Sequence, residues 1–262
     1  MRHERKGLNV MGEDERLETL RAFLKDTRRK EFDFSTTDQN RGVPPPPIEK
    51  PCRPGARRID LPASDQWTGI GDMDLKQAIG ERRSVRSFSD APLSLEELAF
   101  LLWSTQGVRG KVAGAHALRV VPSAGCRHAL ETYLAVLNVN GLQKGVYRYL
   151  PLSHQLVLEF LDEGLAPRMV EAALGQPYPG KAAATFIWTA VPYRMEWRYG
   201  EVAHKVIALD AGHVCQNLYL TCEVIGAGTC AIAAYDQERL DELLGLDGKE
   251  EFTIYLAPVG KV

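Results

Sequence analysis

Residues 202–229 read VAHKVIALDAGHVCQNLYLTCEVIGAGT and contain the longest apolar helical pattern of the chain. Apolar side chains recur on two faces of this pattern, one with Ile207, Ala211, Val214, Leu218, Cys222 and Ile225 and the other with Val206, Leu209, His213 and Leu220. A helix that is apolar on two faces is typical of a central position. Gly226 and Gly228 end the pattern, since glycine is favoured just after a helix. We therefore predict a long central helix that leads into a strand.

The segments on either side of this helix predict a mixture of helices and strands. Asp74 is placed to cap a helix that runs through Ile79. Ser94 and Glu97 form a Ser-x-x-Glu capping box for a second helix, which Gly107 ends. Further segments predict strands over residues 132–139, 185–191, 229–233 and 252–259, a hairpin from 145–149 and 155–159, and a short helix over 236–244. The body is therefore predicted to be a single α+β domain.

The first seventy residues differ in composition from the rest. Residues 13–30 are highly charged and predict a helix, and the four prolines of residues 44–47 favour an extended polyproline conformation. We predict two parts, with residues 1–72 forming an N-terminal helix and a proline-rich arm and residues 73–262 forming the main domain. The arm is expected to lie over the body or to reach a partner subunit, and a disordered leader is the alternative.

Bulk composition excludes several classes of protein. Apolar residues make up 45% of the chain and charged residues 25%, and the formal net charge is -2, so no nucleic-acid partner is indicated. No run approaches the roughly 20 apolar residues that span a bilayer, which predicts a soluble, cytoplasmic protein without a membrane partner. The five cysteines form no close CxxC pair, and the histidines show no metal-ligand spacing. Reduced, mostly buried thiols and no metal site are expected.

Residues 81–88, ERRSVRSF, gather three arginines and two hydroxyl groups at the end of a predicted helix. Three guanidinium groups so close together repel one another unless an anion lies among them. Arginine offers fork-shaped donors that suit phosphate, and a serine hydroxyl can complete the shell. The segment predicts a phosphate site, with a solvated basic turn as the alternative.

Two segments of small residues would allow a flat ligand to approach the backbone. One is GAGT at residues 226–229, after the central helix, and the other is PSAG at residues 122–125. Either segment can equally be an ordinary turn. No G-x-G-x-x-G motif follows a predicted strand and no G-x-x-x-x-G-K-[ST] motif is present, so nucleotide-binding folds of those kinds are not indicated.

Taken together and in order, RRSVRSF, LLWSTQG, PSAG, AGHVCQNLYL, GAGT and the final VGKV resemble the nitroreductase superfamily. Four segments are closest to its SagB-type dehydrogenases, which include the azoline oxidases of peptide natural-product clusters: LLW-x-x-QG, PSAG, GVYRY and AGHVCQNLYL. The resemblance covers residues 73–262. It implies a three-layer α/β/α sandwich with a mixed, mainly antiparallel central sheet, FMN as cofactor, and a homodimer with FMN at its interface.

The resemblance also implies which residues contact the flavin. The segment that would hold the FMN phosphate and ribityl chain comprises Arg82, Arg83, Ser84 and Arg86, with Lys261 also near the phosphate. The segment that would lie against the isoalloxazine ring, usually from the other subunit, comprises Pro122, Ser123, Ala124 and Gly125. Backbone donors near N5 and O4 of the ring would come from Gly228 and Thr229. The chain departs from the family pattern at residues 126–128, Cys-Arg-His, which leaves the pocket shape and the substrate open.

The function implied is an FMN-dependent oxidoreductase that works by ping-pong hydride transfer through flavin N5. NAD(P)H is the expected electron donor, the second substrate is a small molecule or a peptide, and no side chain is predicted to act as an obligatory acid or base. One alternative is a peptide azoline (thiazoline or oxazoline) oxidase of a natural-product cluster. Another is a non-catalytic flavin-binding module, suggested by the Cys-Arg-His segment. The aromatic segment around Tyr193, Trp197 and Tyr199 is either a cover of the active site or a surface loop.

Overall fold

A computed structural model describes residues 12–112 and 116–262 of the chain. Its helices are α1 (Glu13–Leu24), α2 (Leu75–Glu81), α3 (Leu95–Gln106), α4 (Leu165–Ala172), α5 (Tyr193–Tyr199), α6 (His204–Val224) and α7 (Gln237–Leu244). Its strands are β1 (Arg58–Asp60), β2 (Val108–Val112), β3 (His116–Arg119), β4 (Leu130–Val136), β5 (Gly145–Leu150), β6 (Gln155–Leu161), β7 (Ala184–Ala190), β8 (Ala227–Thr229) and β9 (Phe252–Lys261).

A seven-stranded sheet lies at the centre of the described chain, with the strand order β1-β6-β5-β4-β7-β9-β8. All ladders between these strands are antiparallel. Parallel pairing occurs at two isolated bridges, Ser84 with Thr229 and Leu93 with Val139. Strands β2 and β3 form a separate hairpin. The prediction of a mixed, mainly antiparallel sheet is confirmed.

Helices cover both faces of the sheet. Successive side chains of a strand point to opposite sides, so a strand that is apolar throughout contributes to an apolar cluster on each face. On β7, Phe186 and Trp188 join the apolar cluster that includes residues of α3 and α6. The residue between them, Ile187, joins a second cluster with residues of α4 and α7. All three side chains are fully buried. This alternation produces the predicted three-layer α/β/α sandwich.

Helix α3 begins and ends where its end signals indicate. The Ser94 hydroxyl accepts from the Glu97 amide at 3.0 Å, and the Glu97 carboxylate accepts from the Ser94 amide at 2.8 Å. Gly107 follows the last helical residue. Asp74 likewise caps α2 through the amides of Lys76 and Gln77. Both helix starts are therefore confirmed.

Most predicted elements differ from the observed ones by one to three residues at an end, two differ more, and several elements were missed. The helix predicted over residues 13–30 ends at Leu24, because Lys25 is extended and a short 3-10 turn follows. The strand predicted over 229–233 is β8, Ala227–Thr229, because these residues form the ladder with the end of β9. Beyond β8, Ile232 forms only an isolated bridge, with Leu256 of β9. Sequence patterns did not predict β1, α4 or the β2–β3 hairpin. These elements are short, and β1 owes its pairing to a distant strand.

Helix α6 is buried on one of its two apolar faces. Leu218 and Val214 pack in the core, whereas Leu209 is 52% exposed and Gly212 and His213 are exposed. The predicted long central helix is present, but its second face is only partly covered in the single chain: Val206 and Leu220 are half-buried, whereas Leu209 and His213 are exposed. We name the residues Ala208, Leu209, Gly212 and His213 the open face of α6.

The proline-rich segment lies on the main body. Its backbone carbonyls accept hydrogen bonds from buried side chains: Val43 from Trp197, Ile48 from Arg119 and Lys50 from Arg148, each at 2.9 Å. Further along, β1 pairs with β6 and forms one edge of the sheet. Residues before position 73 thus contribute to the sheet, and the division at residues 72 and 73 remains a prediction.

In the part of the chain that the structure describes, no helix combines the length and apolarity needed to cross a bilayer. All five cysteines are free thiols. Cys215, Cys222 and Cys230 are buried and the other two are half-buried, as predicted for mostly buried thiols.

Candidate active site

The arginine-rich segment forms a turn that packs directly on β8. The Val85 amide donates to the Thr229 carbonyl at 2.9 Å, and Ser84 and Thr229 form a parallel bridge. Gly228 has no side chain at the point of closest approach, where a Cβ would lie 2.6 Å from Val85 Cβ. The structure therefore brings together two segments that lie far apart in the sequence, and we call residues 82–86 the arginine turn.

Tyr219 of α6 connects the arginine turn to the chain that follows β8. Its hydroxyl lies 3.1 Å from the Ser84 hydroxyl and accepts from the Ala231 amide at 2.9 Å. The Arg82 guanidinium lies over its ring, 5.4 Å from the centroid. Sequence reasoning missed Tyr219, although it stands in the AGHVCQNLYL segment, because a tyrosine at helical spacing is indistinguishable from a packing residue.

The charges of the arginine turn are free to meet an anion. No ion pair joins Arg82, Arg83 or Arg86 to a carboxylate among the described residues. Arg83, Ser84 and Arg86 are exposed, and Arg82 is half-buried. Guanidinium and hydroxyl donors are the groups that bind phosphate. The donor set therefore fits the FMN phosphate.

Three other predicted residues lie beside the turn but are engaged within the protein. Lys261 is opposite Ala227 in the β8–β9 ladder, and its ammonium contacts the Glu97 carboxylate at 2.7 Å and the Ile225 carbonyl. Gly228 and Thr229 are buried, and the Thr229 hydroxyl donates to the Pro258 carbonyl at 2.8 Å. Their contact with flavin remains a prediction.

The PSAG segment is held against the N-terminal half of α6. Ser123 Oγ donates to Asp210 Oδ2 at 2.5 Å, and the Ala124 amide contacts Asp210 Oδ1 at 3.4 Å. The chain then makes left-handed turns at Gly125 (φ 58°), Cys126 (φ 56°) and His128 (φ 47°). We call residues 122–128 the PSAG turn. Left-handed conformations at two non-glycine residues are a source of strain that surrounding contacts must hold in place.

Helix α5 covers the PSAG turn. A Cβ on Gly125 would lie 2.6 Å from the Tyr199 hydroxyl and 2.7 Å from Arg198 Cδ. The Arg127 guanidinium lies 4.6 Å from the ring centroid of Trp197 and donates to the Arg194 carbonyl at 3.0 Å. The aromatic segment is thus a helix that contacts the predicted ring-facing residues, and its role as a cover of the active site remains a prediction.

Burial, together with nearby cations, makes His128 a poor base. Burial lowers its pKa to about 3, and the nearby guanidinium groups of Arg119, Arg127 and Arg194 act in the same direction. The imidazole is therefore neutral at physiological pH, and it lies 3.6 Å from the Cys126 thiol.

The arginine turn and the PSAG turn contact α6 at different places. Tyr219 meets the first and Asp210 meets the second, nine residues apart. At 1.5 Å and 100° per residue, these positions are about 14 Å apart along the axis and about half a turn apart around it. A helix therefore separates the two predicted halves of the flavin site within one chain.

Comparison with known proteins identifies the chain. The sequence profile of the Nitroreductase family matches residues 79–261, which span both turns and all of α6. The chain belongs to the nitroreductase family. A protein of Methanocaldococcus jannaschii named as a nitroreductase is 33% identical over 196 residues, covering 75% of this chain and 95% of that protein. A crystal structure described as a nitroreductase from Ralstonia eutropha has a TM-score of 0.65 at 27% identity and covers 84% of this chain and 94% of that chain.

A further relative supports the resemblance to the SagB-type branch of the nitroreductase family. The trifolitoxin-processing protein TfxB of Rhizobium leguminosarum biovar trifolii is 28% identical over 163 residues. The match covers 59% of this chain and 44% of TfxB.

A cavity of about 510 Å³ lies away from both turns and is lined in part by Lys50, Tyr133 and Arg148. Its cations are already engaged. Arg148 donates to the carbonyls of Lys50 and Pro51 and to Glu159, and the Lys50 ammonium contacts Tyr133 and Glu251. The cavity offers a ligand few unpaired donors, so the arginine turn is the better candidate for this nitroreductase-family site.

Substituting Gly228 with alanine is expected to push the arginine turn away from β8, because the new Cβ would overlap Val85. Overpacking of this kind costs about 1–3 kcal/mol, and FMN affinity should fall with it. Urea unfolding and FMN titration measure the two effects. Gly80→Ala is the control, since a Cβ there meets nothing within 4 Å. Unchanged FMN affinity in Gly228→Ala would contradict the placement of the phosphate site.

Proposed function

We propose that this chain is an FMN-dependent oxidoreductase that uses NAD(P)H as electron donor. Members of the nitroreductase family are oxidoreductases that generally use FMN. The observation that carries the proposal is the arginine turn, whose backbone is fixed on β8 through Val85 and Thr229. Its three guanidinium groups form no ion pair with a carboxylate of residues 12–112 or 116–262. FMN, when bound, supplies the hydride chemistry.

The chain's own residues then have three tasks. Arg82, Arg83, Ser84 and Arg86 bind the phosphate, and Tyr219 fixes the direction of the turn through Ser84. The PSAG turn presents small residues to the ring, so that a planar substrate can stack on the opposite side. Helix α5 covers that turn and limits access of water. No side chain is required as an acid or base.

The purified protein tests this proposal directly. Incubation with FMN followed by removal of free flavin should leave a yellow protein with a visible flavin spectrum. Addition of NADH or NADPH without oxygen should bleach it, and a second substrate such as a quinone should restore the colour. A colourless protein after incubation with FMN would refute the proposal. Stable flavin that neither nucleotide reduces would favour the non-catalytic flavin-binding module.

We also propose that the active form is a homodimer with FMN at its interface. Two observations support this: α6 separates the arginine turn from the PSAG turn within one chain, and the open face of α6 leaves Leu209 52% exposed. Pairing two copies through this face would cover it and would let the PSAG turn of one copy approach the arginine turn of the other. Light scattering of the FMN-loaded protein should give twice the chain mass, and a loaded monomer would contradict the proposal.

Azoline oxidation of a peptide is the second candidate function. The similarity to the trifolitoxin-processing protein favours it, together with the SagB-like segments. This reaction removes two electrons and two protons from a thiazoline or oxazoline ring, reducing FMN, which oxygen then reoxidises. Mass spectrometry of an azoline peptide incubated with the loaded protein should show a loss of two hydrogens per ring. Turnover of quinones or nitro compounds with NAD(P)H and no loss from the peptide would favour the first candidate.

A further inference from the structure

Asp210 of α6 holds the start of the PSAG turn. Its side chain is buried, with 5% of the residue exposed. One carboxylate oxygen accepts from Ser123 Oγ at 2.5 Å, and the other lies 3.4 Å from the Ala124 amide. Ser123 Oγ in turn accepts from the His128 amide at 2.9 Å. A chain of hydrogen bonds thus runs from Asp210 through Ser123 to the far end of the turn.

This carboxylate lacks a cationic partner. No ion pair joins Asp210 to a lysine, arginine or histidine among the described residues. Burial raises the pKa of Asp210. The hydrogen bonds from Ser123 and Ala124 oppose that effect, as does the electrostatic influence of His213, which is close but forms no ion pair with the carboxylate. A buried, unpaired carboxylate is costly, and such groups concentrate at functional sites.

The turn that Asp210 holds is strained. Cys126 and His128 both have left-handed backbone conformations, which persist only when surrounding contacts fix them. The contacts come from two sides: Asp210 binds Ser123 and Ala124 at the start of the turn, and Trp197 packs on Arg127 near its end. Asp210 is the polar support of the start of the turn. Nearer its end, the Cys126 thiol donates to the Ala117 carbonyl and Arg127 donates to the Arg194 carbonyl.

We propose that Asp210 is a positioning residue that fixes the PSAG turn in the shape that meets the flavin ring, and that Ser123 acts through this contact rather than as a ligand of the ring. The inference rests on the proposed function, since the turn has a ring to meet only if FMN binds. The structural part of the inference is that the Asp210–Ser123 contact fixes the turn, and this should hold in the FMN-free protein as well.

The experiment compares Asp210→Ala, Asp210→Asn, Ser123→Ala and the Asp210→Ala/Ser123→Ala double variant with the parent. The matched control is Asp241→Ala. Asp241 is also a buried helical aspartate, and it accepts a hydrogen bond from the Thr253 amide at 2.8 Å. It lies in α7 rather than beside the PSAG turn. The measurements are hydrogen exchange of residues 122–128 without FMN, FMN affinity, and the visible spectrum of bound FMN.

We expect faster hydrogen exchange in residues 122–128 for Asp210→Ala and Ser123→Ala. Asp241→Ala should leave the exchange rate of these residues unchanged. FMN affinity should fall roughly tenfold in Asp210→Ala and in Ser123→Ala, the loss expected for one hydrogen bond to a charged group. The visible spectrum of the bound flavin should shift in both variants. The double variant should lose no more than either single variant, because the two residues act as one unit. Asp210→Asn should recover part of the loss, since its amide oxygen still accepts.

Unchanged exchange in folded Ser123→Ala would overturn the structural part of the inference. Faster exchange with parental FMN affinity and spectrum would overturn the positioning role while leaving the proposed function intact. Additive losses in the double variant would show that Ser123 contacts the ring independently, which also overturns it. A parent that binds no FMN would instead refute the proposed function. If Asp210→Ala does not fold, Ser123→Ala and Asp210→Asn decide the question.

Discussion

Replacing Glu131 with alanine is expected to destabilise the protein by about 3–5 kcal/mol, the largest effect on stability that we predict. Its carboxylate is almost completely buried in β4 and accepts from the Arg194 guanidinium and from the Lys50 amide, with Arg148 3.6 Å away. Arg148 and Arg194 are buried too. Removal of the carboxylate leaves both cations in the interior without their shared partner.

The same carboxylate should make stability depend on pH. Burial raises the pKa of Glu131, but the guanidinium groups of Arg194 and Arg148 together outweigh burial and hold the pKa below its usual value. A carboxyl whose pKa is lowered by folding stabilises the native state above its unfolded pKa, and that stability is lost as the pH falls through the folded pKa. Glu131→Gln should therefore lose less stability on acidification than the parent does.

Urea unfolding from neutral to acid pH measures both effects. Glu18→Ala is the control, because Glu18 is exposed on α1 and should change stability little at any pH. If Glu131→Ala lowers the free energy of unfolding by less than about 1 kcal/mol, water reaches the arginines and the Glu131 ion pairs are not shielded from solvent.

Replacing Arg82 and Arg86 together with alanine is expected to weaken FMN binding roughly a hundredfold or more. A hydrogen bond to a charged group contributes about 1.5–3 kcal/mol, and about 1.4 kcal/mol corresponds to a factor of ten. Neither arginine is ion-paired within the described part of the chain, so their removal leaves no buried carboxylate behind there and should cost little stability. Titration of FMN followed by flavin fluorescence measures the affinity.

Riboflavin isolates the phosphate contribution in this experiment, because it lacks the phosphate but keeps the ring. The parent should prefer FMN strongly over riboflavin, and the double variant should lose most of that preference. Arg16→Ala is the control, since Arg16 is exposed on α1. A double variant that keeps the parental preference for FMN would place the phosphate elsewhere.

Sequence patterns predicted those parts of the fold that depend on local interactions. The Ser94 capping box, the Asp74 cap and the apolar repeat of α6 act within a few residues, so their bounds could be read directly. The hairpin of β5 and β6 was predicted for the same reason. The packing of the arginine turn on β8 was not predicted, because no local pattern relates Val85 to Thr229. The family resemblance implied only that both segments contact FMN.

The parts that were missed depend on contacts between distant residues. Asp210 and Tyr219 look like ordinary polar positions on a helix until Ser123 and Ser84 are seen beside them. The second face of α6 looked buried because its residues are apolar, yet the single chain leaves Leu209 exposed. Apolarity shows that a surface tends to be covered but does not say which molecule covers it.

The way in which the arm is bound has a consequence for comparing related proteins. Trp197, Arg119 and Arg148 bind the arm mainly through backbone carbonyls, and a carbonyl is the same in every residue type. These are the carbonyls of Val43, Ile48, Lys50 and Pro51. The prolines contribute by keeping the segment extended before it docks. Arms with quite different amino-acid sequences could therefore make these contacts. A sequence alignment of related proteins would fail to align the arm before it fails elsewhere, but the three donor side chains of the body would still show where the arm binds.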